Sequence, residues 1–388
     1  MEQCRDVLEG AIEEAGRLVL SAILQASAES LTGPWHQGKA AGDRVRHGSQ
    51  PGSVFLGRNK VRVERPRVRT KQGKEVKIPA YERLRSDETA CRKVHDSVAL
   101  GVSTRKYKKA VVDSLEAVGV SKSTVSRRFV KHSAKRLEEF LNRPVPSDLV
   151  AVLMDGIHLG DVLIVVAVGI DSKGAKHALS LVDGTTENAA TVKSLLEDLI
   201  RRGMNVESRL LFVIDGGKAL AAGIRDVCGT HHPVQRCRVH KLRNVEEKIP
   251  QAKHKYVRAA MRAAWKLPEK QGIQKMKELA RELEVSHKDA ANSLLEGLEQ
   301  TFTINRLELS PMLTVSLAST NLIENAHGAI RSAVKRIKRF AKPEDAKRWA
   351  ATILTDAQEN FRTLKGHKDI WILQVALGHP VEEHRREA

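Results

Sequence analysis

The chain has few cysteines and no cysteine pattern: Cys4, Cys91, Cys228 and Cys237 are irregularly spaced in 388 residues. A disulfide framework needs cysteines at paired, regular spacings, so these four read as reduced thiols. Long hydrophobic runs are also missing. The longest, Val162 to Ile170, is far short of the roughly 20 apolar residues of a spanning helix. The N-terminal MEQCRDVLEGAIEEAG has neither the basic start nor the apolar stretch of a secretory signal. The expectation is a cytosolic protein with no membrane partner.

Acidic charge is scarce relative to basic charge. With 47 Asp and Glu against 66 Lys and Arg the formal net charge is +19, which favours a polyanionic partner, with nucleic acid first. The positive charge is striped. Residues 58–77 hold nine Lys or Arg against Glu64 and Glu75, and residues 122–136 hold six against no acid. Hydrophobic residues at 41% are enough to bury cores in two or three domains.

Residues 1 to about 31 follow helical spacing, and residues 32–53, rich in Gly, Ser and His, read as a linker or extended loop. GRNKVRVERPRVRT and KEVKIPAY alternate basic and apolar residues around Lys71-Gln72-Gly73, which predicts a hairpin whose basic face suits a phosphate backbone. Ser103 and Ser121 are placed to cap two helices separated by Gly119, a helix-turn-helix signature. Its second helix would put Lys122, Ser123, Ser126 and Arg127 at the bases, with Arg128 beside them. The plainer alternative is a helical hairpin with a basic, solvated face.

Beyond Pro146 the pattern predicts strands at 149–154, 162–170, 177–182, 209–214 and 233–239, with helices at 187–202 and 217–227. A three-strand meander followed by alternating helix and strand is the order of the ribonuclease-H-like fold. In it the first and fourth strands lie side by side and parallel. From 243 to about 318 only helical periodicity is present, which predicts an all-helical insertion. Ser319-Thr320-Asn321 then caps a helix carrying Glu324, Arg331, Lys335 and Lys338, and a last helix runs from about 344 to 362. The predicted layout is therefore 1–53 helix and linker, 54–146 DNA-binding region, 147–242 with 319–365 as an α/β core, 243–318 insertion and 366–388 tail.

The strands AVLMDG and LLFVIDG predict Asp155 and Asp215 at neighbouring strand ends, and NLIENAH supplies Glu324. Asp-Gly pairs are often only turns. Yet a charge at the end of a buried strand is costly unless a cation or hydrogen bonds compensate it, and three carboxylates in one core are the donor set for two Mg²⁺ ions, with Mn²⁺ as the substitute.

VLMDGIHLGD, LLFVIDGGKAL, VQRCRVHKLRNV and STNLIENAHGAIR, with RHGSQPGSVFLG and ERPRVRT upstream, occur in order over about 45–378. Together they resemble the Mutator-type transposases of bacterial insertion sequences. The resemblance implies a catalytic and metal-binding triad of Asp155, Asp215 and Glu324. It also implies terminal inverted repeats and target DNA as partners, a homodimer or higher oligomer on DNA, and a place at the bacterial nucleoid. Lys241, Arg331 and Lys335 become candidates for DNA phosphates. Cys237 and His240, the Cys-x-x-His of such enzymes, are implied to support the active site from behind the triad. The competing possibility is zinc, because Cys228, His231, Cys237 and His240 also have ligand-like spacing; a third is a polar strand end. His327 stands where the family pattern has a polar amide. Trp265 reads as core or, less simply, as a stacking platform for an unpaired base. The rival functions are another ribonuclease-H-like nuclease, such as a junction resolvase, and a catalytically inactive helix-turn-helix regulator.

Overall fold

The structure is a computed structural model that describes residues 2–33, 42–56, 59–85, 122–184, 188–335, 337, 339–340 and 342–381. It divides into two units, Met1–Lys135 and Arg136–Ala388.

In the first unit a long helix, α1 (Glu2–Thr32), packs on a three-stranded antiparallel sheet of β1 (Arg44–Leu56), β2 (Asn59–Thr70) and β3 (Glu75–Val76), followed by α2 (Pro79–Arg85). Leu20, Leu24 and Ala28, spaced for one helix face, meet Val54, Val61, Val68, Ile78 and Tyr81 in a small core. The sheet departs from the expected hairpin. The stretch anticipated as linker is strand from Arg44 onward and pairs with β2 along its length, whereas the turn through Gly73 (φ 84°) joins only the two residues of β3. Gly, Ser and Pro in RVRHGSQPGS suggested a break, but a register shift between Arg46 and Ser49 takes up the irregularity within the strand. Arg65, Arg67 and Arg69 converge on Glu75, which partly neutralises the basic face.

The first helix of the anticipated helix-turn-helix lies outside the described residues. Its second element is α3 (Lys122–Asn142), which is one continuous 21-residue helix.

The second unit is built on a five-stranded sheet: β4 (Leu149–Leu159), β5 (Val162–Asp171), β6 (Lys176–Gly184), β7 (Leu211–Ile214) and β8 (Val234–Arg236), in the order β6-β5-β4-β7-β8. The first three form an antiparallel meander, and β4–β7 and β7–β8 pair in parallel. Parallel neighbours need crossovers, and α4 (Ala189–Arg201) and α5 (Lys218–Cys228) supply them. Asn188 caps α4 by accepting from the Thr191 N–H. Along β4 and β7 alternate residues Val152, Met154, Phe212 and Ile214 join Val192, Leu195, Leu199, Leu220 and Ile224 in the main core. Period-2 alternation therefore sends Asp155, and Asp215 just past Ile214, to the opposite face. There α12 (Asn321–Val334) packs on β4, and α13 (Pro343–Gln358) on β5 and β6.

After β8 the chain is helical: α6 (Arg238–Glu246), α7 (Gln251–Ala264), α8 (Glu269–Glu284), α9 (Lys288–Leu295), a 3-10 turn, α10 (Thr303–Arg306) and α11 (Pro311–Leu317). They close their own core around Val257, Met261, Met276, Leu283 and Phe302. Trp265 belongs to it: buried, its indole N–H donates to Thr301 Oγ1 at 3.1 Å, so its ring has no room for a base. The anticipated tail instead carries α14 (Ile370–Leu377), with Ile370, Leu373 and Leu377 buried. No helix among the described residues is long and apolar enough to cross a membrane.

Candidate active site

β4 and β7 bring the two aspartates together. The last residues paired between these strands are Met154 and Ile214, so Asp155 and Asp215 are the next residues of parallel neighbours. Asp155 does not end its strand, as AVLMDG had suggested. β4 continues to Leu159 because β5 pairs with it on the other side, Asp155 opposite Val166. β7 stops at Ile214, and the edge of β4 facing it opens at Asp155.

The backbone supports both carboxylates. Asp155 Oδ1 accepts from the Gly156 N–H at 3.1 Å, and Asp215 Oδ1 from the Gly217 N–H at 2.7 Å. Gly216 between them turns at φ 104°, and a Cβ there would lie 2.1 Å from Arg236 Nε. Only glycine fits this turn. Asp155 is 4% exposed. Burial pushes its carboxyl up to about 7; the Asp215 charge adds to the rise, while the His240 charge and hydrogen bonds from Gly156 and Thr320 oppose it.

Glu324 stands in the first turn of α12, half-buried, and its Oε1 lies 3.5 Å from Arg243 Nη1 of α6. Of the three carboxylates, two converge and the third is held by an arginine. Among the described residues no three His, Cys, Asp or Glu side chains are grouped as metal ligands. His327, one turn beyond Glu324 and 1% exposed, points Nδ1 at Asp155 Oδ2 from 3.8 Å. Burial, with the Arg331 and His240 charges, lowers it to about 4, so the ring is neutral. Its Nε2 has no hydrogen-bond partner.

Cys237 and His240 lie behind the aspartates. The strand expected to run to 239 ends at Arg236; Cys237 is the N-cap of α6, and Val239 and His240 are helical. Cys237 is fully buried and receives the Thr320 backbone N–H at 3.4 Å. Burial acts to raise its thiol, but hydrogen bonds from the His240 side chain and from the His240 and Thr320 backbones, with the His240 charge, outweigh it and leave the thiol below its ordinary value. His240 is raised to about 9, first by its hydrogen bond with Cys237, against burial, and then by the charges of Cys237, Asp155 and Asp215.

The other two residues of the zinc alternative are engaged elsewhere. The Cys228 thiol is buried in the main core and raised to about 11 by that burial. His231 places Nε2 3.2 Å from the Val206 carbonyl and packs against His232.

Lys241, a candidate for DNA phosphates, is turned away from solvent. Its side chain is 1% exposed, and Nζ donates to the Ser293 and Glu296 carbonyls at 2.5 Å. The position in α6 that turns Arg243 outward turns Lys241 into the insertion, whose free carbonyls at the end of α9 it satisfies. Arg331 and Lys335, at the end of α12, are exposed, as are Ser126 and Arg127 on α3. The side chains of Lys122, Ser123 and Arg128 lie outside the described residues. The contacts made by His327 and Thr320 were not anticipated, although the Ser-Thr-Asn before α12 was the signal for the latter.

Comparison with known proteins identifies a family. Residues 2–363 match the family model described as Transposase, Mutator family. The chain is 27% identical over 302 residues to the Staphylococcus aureus transposase for insertion sequence element IS256 in transposon Tn4001, covering 72% of this chain and 73% of the relative. It is 24% identical over 348 residues to the Lactococcus lactis transposase for element IS905, covering 86% and 85%. It is 26% identical over 391 residues to the Rhizobium meliloti transposase for element ISRM5, covering 94% of each.

Proposed function

The chain belongs to the Mutator family of transposases, and we propose that it binds the terminal inverted repeats of an insertion sequence, cleaves a DNA strand in a metal-dependent step and joins the exposed 3′-hydroxyl to target DNA. The second unit is read as a ribonuclease-H-like core, to which its strand order conforms. The first unit and the basic helix α3 are read as the DNA-binding region, with Arg127 and, on the core, Arg331 and Lys335 at phosphates.

The observation that carries the proposal is that Asp155 and Asp215 directly follow Met154 and Ile214, the last paired residues of two adjacent parallel strands. A buried carboxylate whose proton affinity is raised by burial and by a neighbouring carboxylate fits a divalent cation. Asp155, Asp215 and Glu324 would hold Mg²⁺, or Mn²⁺ in its stead, as two ions. When bound, the ions supply activation of the attacking oxygen and charge stabilisation at the leaving 3′ oxygen of an in-line displacement. Glu324 completes the set by leaving Arg243, whose exposed guanidinium is then free for a DNA phosphate. Asp215 is held in orientation by the Gly217 N–H, and Asp155 by Gly156 and Thr320. Cys237 and His240 support Asp155 from behind.

Asp155→Asn, Asp215→Asn and Glu324→Gln each keep the side-chain shape and remove the ligand charge. Each is expected to abolish cleavage and strand transfer on end-containing DNA in Mg²⁺ while retaining end binding. Near-normal activity in any of them removes that residue from the triad.

A further inference from the structure

Thr320 occupies the N-cap of α12, where a threonine hydroxyl ordinarily accepts from a backbone N–H of the first turn. Here the hydroxyl makes no capping bond. It is fully buried and turned the other way, with Oγ1 3.4 Å from His240 Nδ1 and 3.6 Å from Cys237 Sγ, and it hydrogen-bonds the Asp155 carboxyl. The main chain of the same residue does two further things. Its N–H donates to Cys237 Sγ, and its carbonyl accepts from the Ile323 and Glu324 N–H groups. Just before it, the Ala318 carbonyl accepts from the Arg238 N–H at 2.9 Å. The return of the chain from the helical insertion is thus stitched to the start of α6.

The direction of the bonds follows from counting protons. A hydroxyl has one proton and two lone pairs, and a carboxylate only accepts. With His240 Nδ1 facing Thr320 Oγ1, the single hydroxyl proton is shared between Cys237 Sγ, to which Oγ1 donates at 3.6 Å, and the Asp155 carboxylate, which competes for it. The line runs from α6 through Thr320 to β4, and the carbonyl of Thr320 begins the helix on which Glu324 stands. One residue therefore touches the supports of two of the three carboxylates.

We propose that Thr320 is a positioning residue of the transposition site: its hydroxyl carries a hydrogen-bond line from Cys237 and His240 to Asp155, and its main chain ties that line to the helix of Glu324. The proposal rests on reading Asp155 as a metal ligand. A hydroxyl that fixes a ligand oxygen acts on metal affinity and on the chemical step, not on DNA binding, and outer supports of this kind are typically worth about 10- to 100-fold.

Two pairs of side chains isolate the hydroxyl. Thr320 and Thr320→Val have the same shape with and without it; Thr320→Ser and Thr320→Ala compare it in the absence of the methyl group. The measurements are single-turnover cleavage of a pre-bound end fragment across a Mg²⁺ titration, and Mn²⁺ binding to the full chain by electron paramagnetic resonance. Within each pair the hydroxyl-lacking member is expected to cleave about 10- to 100-fold more slowly, to need more Mg²⁺ for half-maximal rate and to bind Mn²⁺ more weakly, with end affinity unchanged. Thr320→Ser is expected to stay near wild type. If Thr320→Val folds poorly, the Ser and Ala pair decides the question. Equal rates and equal metal binding within the pairs overturn the proposal, as does a Thr320→Ser variant as impaired as Thr320→Ala. Asp155→Asn, run alongside, keeps the two readings apart. If it is inactive while the pairs are equal, only the role of Thr320 falls; if it cleaves normally, the metal-site reading itself falls.

Discussion

Removing the charge of Asp155 should make the metal-free protein more stable while destroying its proposed activity. The carboxyl is buried, and its pKa is raised from 3.8 to about 7, by burial first. At 1.36 kcal/mol per pKa unit, ionised Asp155 costs the folded state about 4 kcal/mol. The folded state holds the proton more tightly than the unfolded state between pH 3.8 and about 7, so this residue makes stability fall as pH rises through that window. Below it both states are protonated and no penalty exists; above it the penalty is complete. An amide avoids the charge but offers one acceptor oxygen where the carboxylate offers two, so about half of the figure, ~2 kcal/mol, is the expected gain of Asp155→Asn at about pH 8. For a unit of this size that is a rise of about 4 °C in melting temperature. The assay is thermal unfolding in chelator at about pH 4 and about pH 8, repeated at the higher pH with Mg²⁺. The two proteins should melt together in acid and separate in base. Added Mg²⁺ should raise wild type alone, because only a ligand-competent site gains by binding. An Asn variant that melts below wild type at the higher pH, or a difference that does not change with pH, refutes the reasoning.

Lys241→Met should leave end affinity and its salt dependence unchanged and lower stability by about 2 kcal/mol, because the Ser293 carbonyl loses this donor and the Glu296 carbonyl keeps only Arg236. Burial, then the Arg236 charge, lowers Lys241 to about 7, so the unfolded state binds more protons above that pH; wild-type stability should gain a rising component from about pH 7 upward that thermal unfolding shows to be absent in Lys241→Met. Arg331→Ala, by contrast, should reduce the slope of log affinity against log salt by about one with little change in melting temperature. Arg127→Ala should either cost about 1 to 3 kcal/mol on the correct repeat alone or reduce the same slope on any sequence; binding titrations at several salt concentrations distinguish these, and no change in either places the recognition surface away from this part of α3.

The sheet of the second unit was legible in the sequence because its strands are nearly continuous apolar runs, separated by amphipathic helices whose buried residues recur at helical spacing. That pattern matches the element order of the ribonuclease-H-like fold, and the strand order of that fold is what leads to the expectation that β4 and β7 are neighbours with Asp155 and Asp215 together. What it could not give is where a strand stops. Asp-Gly reads as a terminus, but β4 runs on because β5 keeps pairing with it, and pairing is decided by a partner far away in the sequence. The same cause made a strand of the Gly- and Ser-rich segment after Arg44, which β2 holds in register despite its composition, and buried a helix in what looked like a tail.

Lys241 and Arg243 show the limit at the level of single side chains. Both belong to HKLRN and both are basic, yet only Lys241 was a candidate for DNA. They are two apart on a helix, about 200° around its axis, so only one can face solvent. Which one does is fixed by the insertion that folds over α6 and offers Lys241 two carbonyls. The choice has a consequence for Glu324. Had Lys241 faced outward, the exposed position near Glu324 would have gone to a residue with a single point charge. The geometry gives it instead to Arg243, whose planar guanidinium can grip a carboxylate or a phosphate alike. Arg243, the partner of Glu324, is thus chemically suited to exchange it for a phosphate. Under the proposed function, the positive charge counted in the sequence acts at the site through that exchange, and not through the buried lysine beside it.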